Sequence, residues 1–193
     1  MQNALSNLLK DRYIICSCEG IAEKAIIDLL LDNNQLCFSR EDLIHGECTT
    51  CRKGSDIAQE FLTQDYGRSI AILRIIDREK DKFVIPQIYK MNRNIAIFDI
   101  VTKPEIEILH IITEGLDKEY KRARNNQKSN LKPSSFCKGI LPKKYPSIRS
   151  VKSEDCIQYL YGDDIFKLIT TIEKYHSNVQ HKTYCLYDLL IHK

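Results

Sequence analysis

The sequence lacks several features that would place a chain of 193 residues in a well-known class. No apolar run approaches the roughly 20 residues of a membrane-spanning helix, and the N-terminus has no signal-peptide pattern. The Gly-x-Ser-x-Gly, Gly-x-Gly-x-x-Gly and Gly-x-x-x-x-Gly-Lys-Ser/Thr motifs are absent, so serine hydrolases, dinucleotide-binding proteins and P-loop ATPases are not indicated. We therefore expect a soluble, cytoplasmic protein with no membrane partner.

The chain has no complete pair of Cys-x-x-Cys motifs, although it contains eight cysteines. A disulfide framework is typical of short secreted chains, whereas Cys16 and Cys18 lie in an apolar run, so most of the thiols are expected to be reduced and buried. Cys48 and Cys51 have the spacing of half a zinc site, with His45 nearby. A zinc site and a polar loop that holds two thiols both remain open for this pair.

Charge is unevenly distributed along the chain. Residues 1–117 hold 14 Lys/Arg against 19 Asp/Glu, residues 118–152 hold 11 against 1, and residues 153–193 hold 4 against 6. A basic segment attracts polyanions because each phosphate contact releases counterions, although a solvated loop explains the same composition. The candidate nucleic-acid contacts in this segment are Lys121, Arg122, Arg124, Lys143 and Lys144, with Tyr120 or Tyr145 as candidates for base stacking.

Short apolar runs alternate with helical patterns along the chain. The runs predict strands at residues 13–18, 35–39, 69–76 and 94–101. Helical spacing predicts helices at residues 21–31, 55–65, 83–91 and 103–125, and three short helices at 153–161, 164–175 and 183–192. Strands separated by helices favour an α/β fold with a mostly parallel, Rossmann-like sheet flanked by helices.

The chain is expected to divide into two parts. Residues 1–124 form the α/β core, and residues 125–193 form a basic loop and a helical C-terminal extension packed on the core. Pro133, Pro142 and Pro146 interrupt regular structure, so residues 125–149 are predicted to be a loop or lid.

Acidic residues follow three of the predicted strands. They are Glu19 after the first strand, Asp77, Glu79 and Asp81 after the 69–76 strand, and Glu105 and Glu107 after the 94–101 strand. Carboxyl ends of neighbouring parallel strands face one crevice, so these acids are expected to converge there. Clustered carboxylates repel one another unless a cation joins them, and oxygen ligands suit Mg²⁺ or Mn²⁺.

Two of the acids also have local explanations. Glu23, in the first turn of a predicted helix, either faces the crevice or interacts with the helix dipole. Thr102 and Glu105 fit a capping box, which explains Glu105 structurally. Glu107 is therefore preferred as the functional member of its pair.

Together these motifs resemble a Toprim domain, in particular its RloB-like branch, over about residues 11–120. The resemblance is carried by Cys18-Glu19-Gly20, Glu23, Asp77-x-Glu79, and Pro104 followed by Glu107, Ile108 and Leu109. It implies a Mg²⁺-dependent nuclease that acts on phosphodiester bonds of DNA or RNA, associated with bacterial or phage defence and a separate ATPase. The second motif departs from the family's Asp-x-Asp, and Asp81 is a candidate substitute for its second acid.

The resemblance and the spacing of the acids assign roles. Glu19, Asp77 and Glu79, with Asp81 as substitute, are the expected metal ligands, and Glu107 or Glu23 is a further ligand or the base for the attacking water. Two other functions remain open. One is a catalytically inactive nucleic-acid-binding or regulatory subunit, and the other is a small-molecule phosphohydrolase or nucleotidyl transferase on the same sheet.

Overall fold

A computed structural model describes residues 2–77, 82–90, 94–126, 130–177 and 183–191. Within these residues the strands are β1 (Tyr13–Cys18), β2 (Ile70–Ile76) and β3 (Ile95–Val101). The helices are α1 (Gln2–Leu9), α2 (Ile21–Asp32), α3 (Gly54–Phe61), α4 (Ile108–Thr113), α5 (Asp117–Asn126), α6 (Pro133–Lys144), α7 (Glu154–Tyr161), α8 (Ile165–Ser177) and α9 (Leu186–Leu189). Short 3₁₀ turns cover Arg40–Asp42, Ile44–Gly46 and Gln87–Tyr89.

The three strands form one parallel sheet in the order β1-β2-β3. Tyr13 of β1 is opposite Ile70 of β2, which is opposite Ile95 of β3. Equal register places the carboxyl ends of all three strands at one edge of the sheet. The predicted α/β fold with a parallel sheet flanked by helices is thus confirmed.

Alternation along the strands builds a separate core on each face of the sheet. Cys16 of β1 and Leu73 of β2 point into the larger core, which is shared with α1, α2, α4 and the helices after them. Ile15 and Ile72 point to the opposite face and pack with Ile57 of α3 in a smaller core. Every residue of β2 is buried, as expected for a strand covered on both faces.

The predicted strand at residues 35–39 is wrong. The Cys37 N–H donates to Leu189 O at 2.8 Å and the Ile191 N–H donates to Gln35 O at 2.9 Å, so this segment pairs with the C-terminal end of the chain. A later segment instead flanks β1, where Leu43 and Thr49 form isolated parallel bridges to Ile14 and Ser17. The apolar pattern of residues 35–39 does not indicate whether this segment pairs with β1 or with the C-terminal end of the chain.

The single long helix predicted at residues 103–125 is also wrong, because the chain breaks into α4 and α5. Gly115 has φ of +68°, a left-handed conformation that glycine adopts without steric cost. The Leu116 N–H donates to Ile111 O at 2.9 Å, which closes α4 in the manner of a Schellman motif. The predicted capping box fails too, since the Thr102 hydroxyl donates to Ile76 O and α4 begins only at Ile108.

The predicted loop or lid at residues 125–149 contains α6. Pro133 occupies the first turn of this helix, where its missing N–H costs no helical hydrogen bond. Pro142 lies in the last turn, two residues before the end at Lys144. Two of the three prolines therefore lie within a helix. That helix, α6, packs against α4.

The helices after residue 125 pack on those that precede it. Helix α7 lies against α2, and α8 lies against α4. Among the described residues, no helix combines the length and the apolar content required to cross a lipid bilayer. The predicted helices at residues 153–161 and 164–175 are confirmed within a few residues as α7 and α8, whereas the last one shortens to α9.

Replacing Gly54 with Ala tests the close approach of α3 to the chain near Val84. A Cβ at position 54 would lie 2.1 Å from the Val84 carbonyl oxygen, so the backbone would have to shift. We expect Gly54→Ala to lower the free energy of unfolding by about 1–3 kcal/mol in urea denaturation.

Gly139→Ala in α6 is the matched control, because a Cβ there meets no atom within 4 Å. It should raise the free energy of unfolding by up to about 1 kcal/mol through helix propensity. Similar effects of the two substitutions would contradict the packing of α3 against Val84.

Candidate functional site

Glu19 lies where β1 and β2 end together. Its N–H donates to Ile75 O at 2.9 Å, and its Oε2 accepts the Asp77 N–H at 2.8 Å. Its Oε1 lies 2.7 Å from Nη2 of Arg52, whose side chain is 55% exposed. The parallel register therefore brings the predicted acid of β1 to the residue that follows β2, and an exposed arginine neutralises that acid.

A cavity of about 550 Å³ opens beside Glu19. The carboxyl ends of β1 and β2 line one side of it, and the start of α3 lines another. The lining residues are Ser17, Glu19, Arg52, Lys53, Gly54, Ser55, Arg74, Ile76, Lys82 and Val84. Four cations and one carboxylate line this space, so it favours an anionic group such as a phosphate.

Arg74 is the rigid cation of this cavity. It is 6% exposed, and its Nη1 lies 3.0 Å from Oδ1 of Asp99, its register partner on β3. Its guanidinium also lies over the Phe83 ring at 4.4 Å, a cation–π contact. Sequence reasoning missed Arg74, although a single arginine inside the apolar run 70–76 was a usable signal.

Arg52 and Lys53 were missed for a different reason. They precede α3 in a polar stretch that has no clear periodicity, so nothing local linked them to the ends of the strands. Both line the cavity because α3 begins beside the carboxyl edge of the sheet.

Glu107 comes immediately before α4 and is 1% exposed. Its Oε1 lies 3.4 Å from Nζ of Lys152, and burial raises the pKa of its carboxyl group. Burial also raises the pKa of Glu23 on α2, and the charges of Glu107 and Glu19 act in the same direction. Glu19, Glu23 and Glu107, from three separate segments, thus interact electrostatically.

These acids are neighbours without forming a closed cage. Among the described residues, no three carboxylates have oxygens that all lie within 4.8 Å of one another. Asp77 is half-buried and meets Glu19 through its backbone. The predicted ligands Glu79 and Asp81 lie outside the described residues.

Glu105 has structural partners, but they are not those of the predicted capping box. Its Oε2 accepts the Ser134 N–H at 3.0 Å and its Oε1 lies 3.4 Å from Nζ of Lys132. Glu105 therefore links the segment before α4 to the start of α6.

The predicted nucleic-acid contacts do not line the cavity beside Glu19. Lys121 and Arg124 of α5 line a second cavity of about 690 Å³, bounded by α4 and α8. Arg122 and Lys143 are exposed, and Lys144 lies 2.5 Å from a carboxylate oxygen of Glu114. Their role in binding remains a prediction.

The predicted zinc pair is divided between different partners. The Cys51 thiol donates to Oε2 of Glu60 at 3.0 Å, and the His45 ring packs on Phe61 with centroids 5.1 Å apart. Cys48 belongs instead to a group that does not include Cys51.

That group is a thiol cluster formed by Cys16, Cys18 and Cys48. Their sulfur atoms all lie within 4.8 Å of one another, and the three residues are buried. The neighbouring thiols of Cys16 and Cys18 lower the pKa of Cys48 to about 5. The alternation of Cys16 and Cys18 was a signal for their shared face, but no local pattern indicated Cys48.

Comparisons of the chain with protein-family models, with curated proteins and with solved structures find no match. The geometry of the sheet edge is therefore the basis for functional inference.

Glu107→Gln tests the cost of the buried acid. Because burial raises the folded-state pKa of Glu107, the ionised form destabilises the protein above that pKa. The substitution removes the ion-pair partner of Lys152. This costs little, because the Lys152 side chain is 52% exposed and stays solvated. We expect the free energy of unfolding of the metal-free protein at pH 7 to rise by about 1 kcal/mol.

The advantage of the glutamine should shrink as pH falls through the raised pKa, since the wild-type glutamate then takes up a proton in the folded state. Urea denaturation from pH 7 down to pH 4, below the ordinary glutamate pKa of 4.5, measures this change. A pH-independent difference, or a loss of stability at pH 7, would contradict a destabilising buried charge. Glu119→Gln, on an exposed part of α5, is the matched control and should change little.

Proposed function

We propose that this chain is a Mg²⁺- or Mn²⁺-dependent nuclease of the Toprim type, which hydrolyses phosphodiester bonds of DNA or RNA. One observation carries the proposal: Glu19 lies at the carboxyl edge of a parallel sheet, bonded to the residue after β2 and open to a cation-lined cavity. A carboxylate and several cations around one space suit a metal ion and the phosphate that it activates.

Glu19 and Asp77 are the proposed metal ligands. Mg²⁺ retains several of its water molecules and is commonly held by one or two carboxylates together with substrate phosphates. A closed protein cage is therefore not required, which agrees with the open grouping of the acids. When bound, the ion lowers the pKa of a coordinated water and stabilises charge on the phosphate.

Glu23 is the proposed general base. Its raised pKa brings proton uptake closer to neutral pH, where a base is most effective. Glu107 is almost fully buried and is held by Lys152, so it suits a supporting role, either as a further ligand or as a source of the negative field that raises the pKa of Glu23.

The cations of the cavity are the proposed phosphate-binding groups. Arg74 is positioned by Asp99 and Phe83 before any substrate arrives, which lowers the entropy cost of binding. Arg52 is exposed and pairs with Glu19. A metal ion on Glu19 would weaken this ion pair and favour a contact between the guanidinium and a phosphate oxygen.

A second candidate is a nucleic-acid-binding subunit without catalytic activity. The Arg52–Glu19 ion pair favours it, because the carboxylate already has a cationic partner in the metal-free protein. The separate ATPase partner and the role in bacterial defence remain predictions from the resemblance to the RloB-like branch.

Cleavage of labelled single-stranded and duplex DNA and RNA in Mg²⁺ or Mn²⁺ tests the proposal. Glu19→Gln removes a metal-ligating charge and keeps nearly the same shape, so we expect cleavage to fall by about 100-fold or more. Binding measured in the presence of EDTA should be retained. The matched control Glu119→Gln should cleave as the wild type does.

The outcomes separate the two candidates. Loss of cleavage in Glu19→Gln alone supports the nuclease. If the wild type binds nucleic acid but cleaves none of these substrates with either ion, the binding subunit is the better assignment.

Salt dependence of binding locates the phosphate-contacting cations. Lys53→Ala should weaken binding to every sequence and reduce the slope of log affinity against log salt by about 1, if Lys53 contacts a phosphate. Lys121→Ala, in the second cavity, is the comparison variant. A change in slope only for Lys121→Ala would shift the proposed interface to α5.

A further inference from the structure

The thiol cluster of Cys16, Cys18 and Cys48 is built by backbone structure. Cys16 and Cys18 are two residues apart on β1, so their side chains point to the same face of the sheet. The third thiol is brought in by Thr49, whose N–H donates to Cys16 O at 2.9 Å and whose carbonyl accepts the Cys18 N–H at 2.8 Å. These two bonds fix the residue before Thr49 beside both strand thiols.

Three buried thiols that lie this close together are unusual for cysteines that only fill a core. Cys16 and Cys18 are 0% exposed and Cys48 is 3% exposed, and the three sulfurs face one another within 4.8 Å. A structural cysteine packs as a small apolar residue and needs no other thiol. In the part of the chain that the structure describes, no other group of three His, Cys, Asp or Glu side chains brings its ligand atoms this close.

We infer that Cys16, Cys18 and Cys48 form a three-thiolate site for one soft divalent ion of the zinc group. With Zn–S bonds of about 2.3 Å, tetrahedral coordination requires sulfurs about 3.8 Å apart. The sulfurs of the cluster therefore have to approach one another by no more than about 1 Å. Three thiolates supply three of the four ligands that Zn²⁺ usually has.

Ligand chemistry and charge select the class of ion. Thiolates bind soft ions, whereas Mg²⁺ and Mn²⁺ prefer oxygen. Three thiolates with a divalent ion retain one net negative charge, against two with a monovalent ion, and the smaller charge costs less in buried surroundings. Lys24 interacts electrostatically with Cys18 and Cys48, which further offsets the remaining charge. Protons held by the thiols leave to solvent as the ion binds.

The ligands of this site differ from those of the proposed nuclease site, although Cys18 interacts electrostatically with Glu23. The thiols of the cluster point into the larger core, whereas Ser17 between the two strand cysteines lines the cavity beside Glu19. The two sites would thus use opposite faces of the same strand and ions of opposite chemical character.

Cadmium titration of the fully reduced, metal-free chain under anaerobic conditions tests the inference. Thiolate binding produces an ultraviolet charge-transfer band, which should saturate at one Cd²⁺ per chain and should persist in excess Mg²⁺. Alkylation followed by mass spectrometry should show that Cd²⁺ and Zn²⁺ protect these three cysteines selectively. This second measurement uses the wild-type chain and does not depend on the folding of any variant.

Substitutions then assign the ligands. Changes around a metal site that do not touch the ligands cost about 10–100-fold in affinity, so loss of a ligand in Cys16→Ala, Cys18→Ala or Cys48→Ala should cost about 100-fold or more. Cys156→Ala is the matched control, because Cys156 is buried at 0% exposure in α7 and lies outside the cluster. It should bind one Cd²⁺ with wild-type affinity.

Two results would overturn the inference. One is the absence of a saturable charge-transfer band in the reduced wild type, with the three thiols equally reactive with and without metal. The other is Cd²⁺ binding that survives all three cluster substitutions while each variant keeps its wild-type circular dichroism spectrum.

Discussion

The parallel pairing of β1 with β2 is the constraint on which the candidate chemistry of this protein depends. Because Tyr13 is opposite Ile70, both strands end at the same level, and Glu19 can accept the backbone N–H of Asp77. An antiparallel arrangement would have placed these residues at opposite edges of the sheet. Glu19, the cavity beside it and the thiol cluster all include residues that lie on or next to these two strands.

The same edge contains charges that are costly to bury. Glu107 is almost inaccessible to solvent, and its ion pair with the exposed Lys152 offsets only part of the cost, since burial still raises its pKa. Arg74 is also buried, but Asp99 and Phe83 compensate its charge from two directions. An acid retained under such a penalty is the kind of group that functional sites contain, which agrees with its place beside Glu23.

Alternation along β1 separates two kinds of chemistry. Ser17 faces the cation-lined cavity, whereas Cys16 and Cys18 face the larger core and meet Cys48 there. This strand thus presents the Ser17 hydroxyl to an open cavity on one face and two thiols to the buried core on the other.

The amino-acid sequence by itself indicated the three strands, since each is a short apolar run, and it showed that acids follow them. The same criterion also indicated a strand at residues 35–39, which the structure does not contain. The sequence also determined where α7 begins, because the Ser153 side chain caps the helix locally and accepts the Cys156 N–H. Only the tertiary structure decided which segment flanks β1, where Arg52 lies relative to Glu19, and which thiols Cys48 meets. These outcomes depend on backbone pairings and packing between segments distant in the chain, and local periodicity contains no information about them.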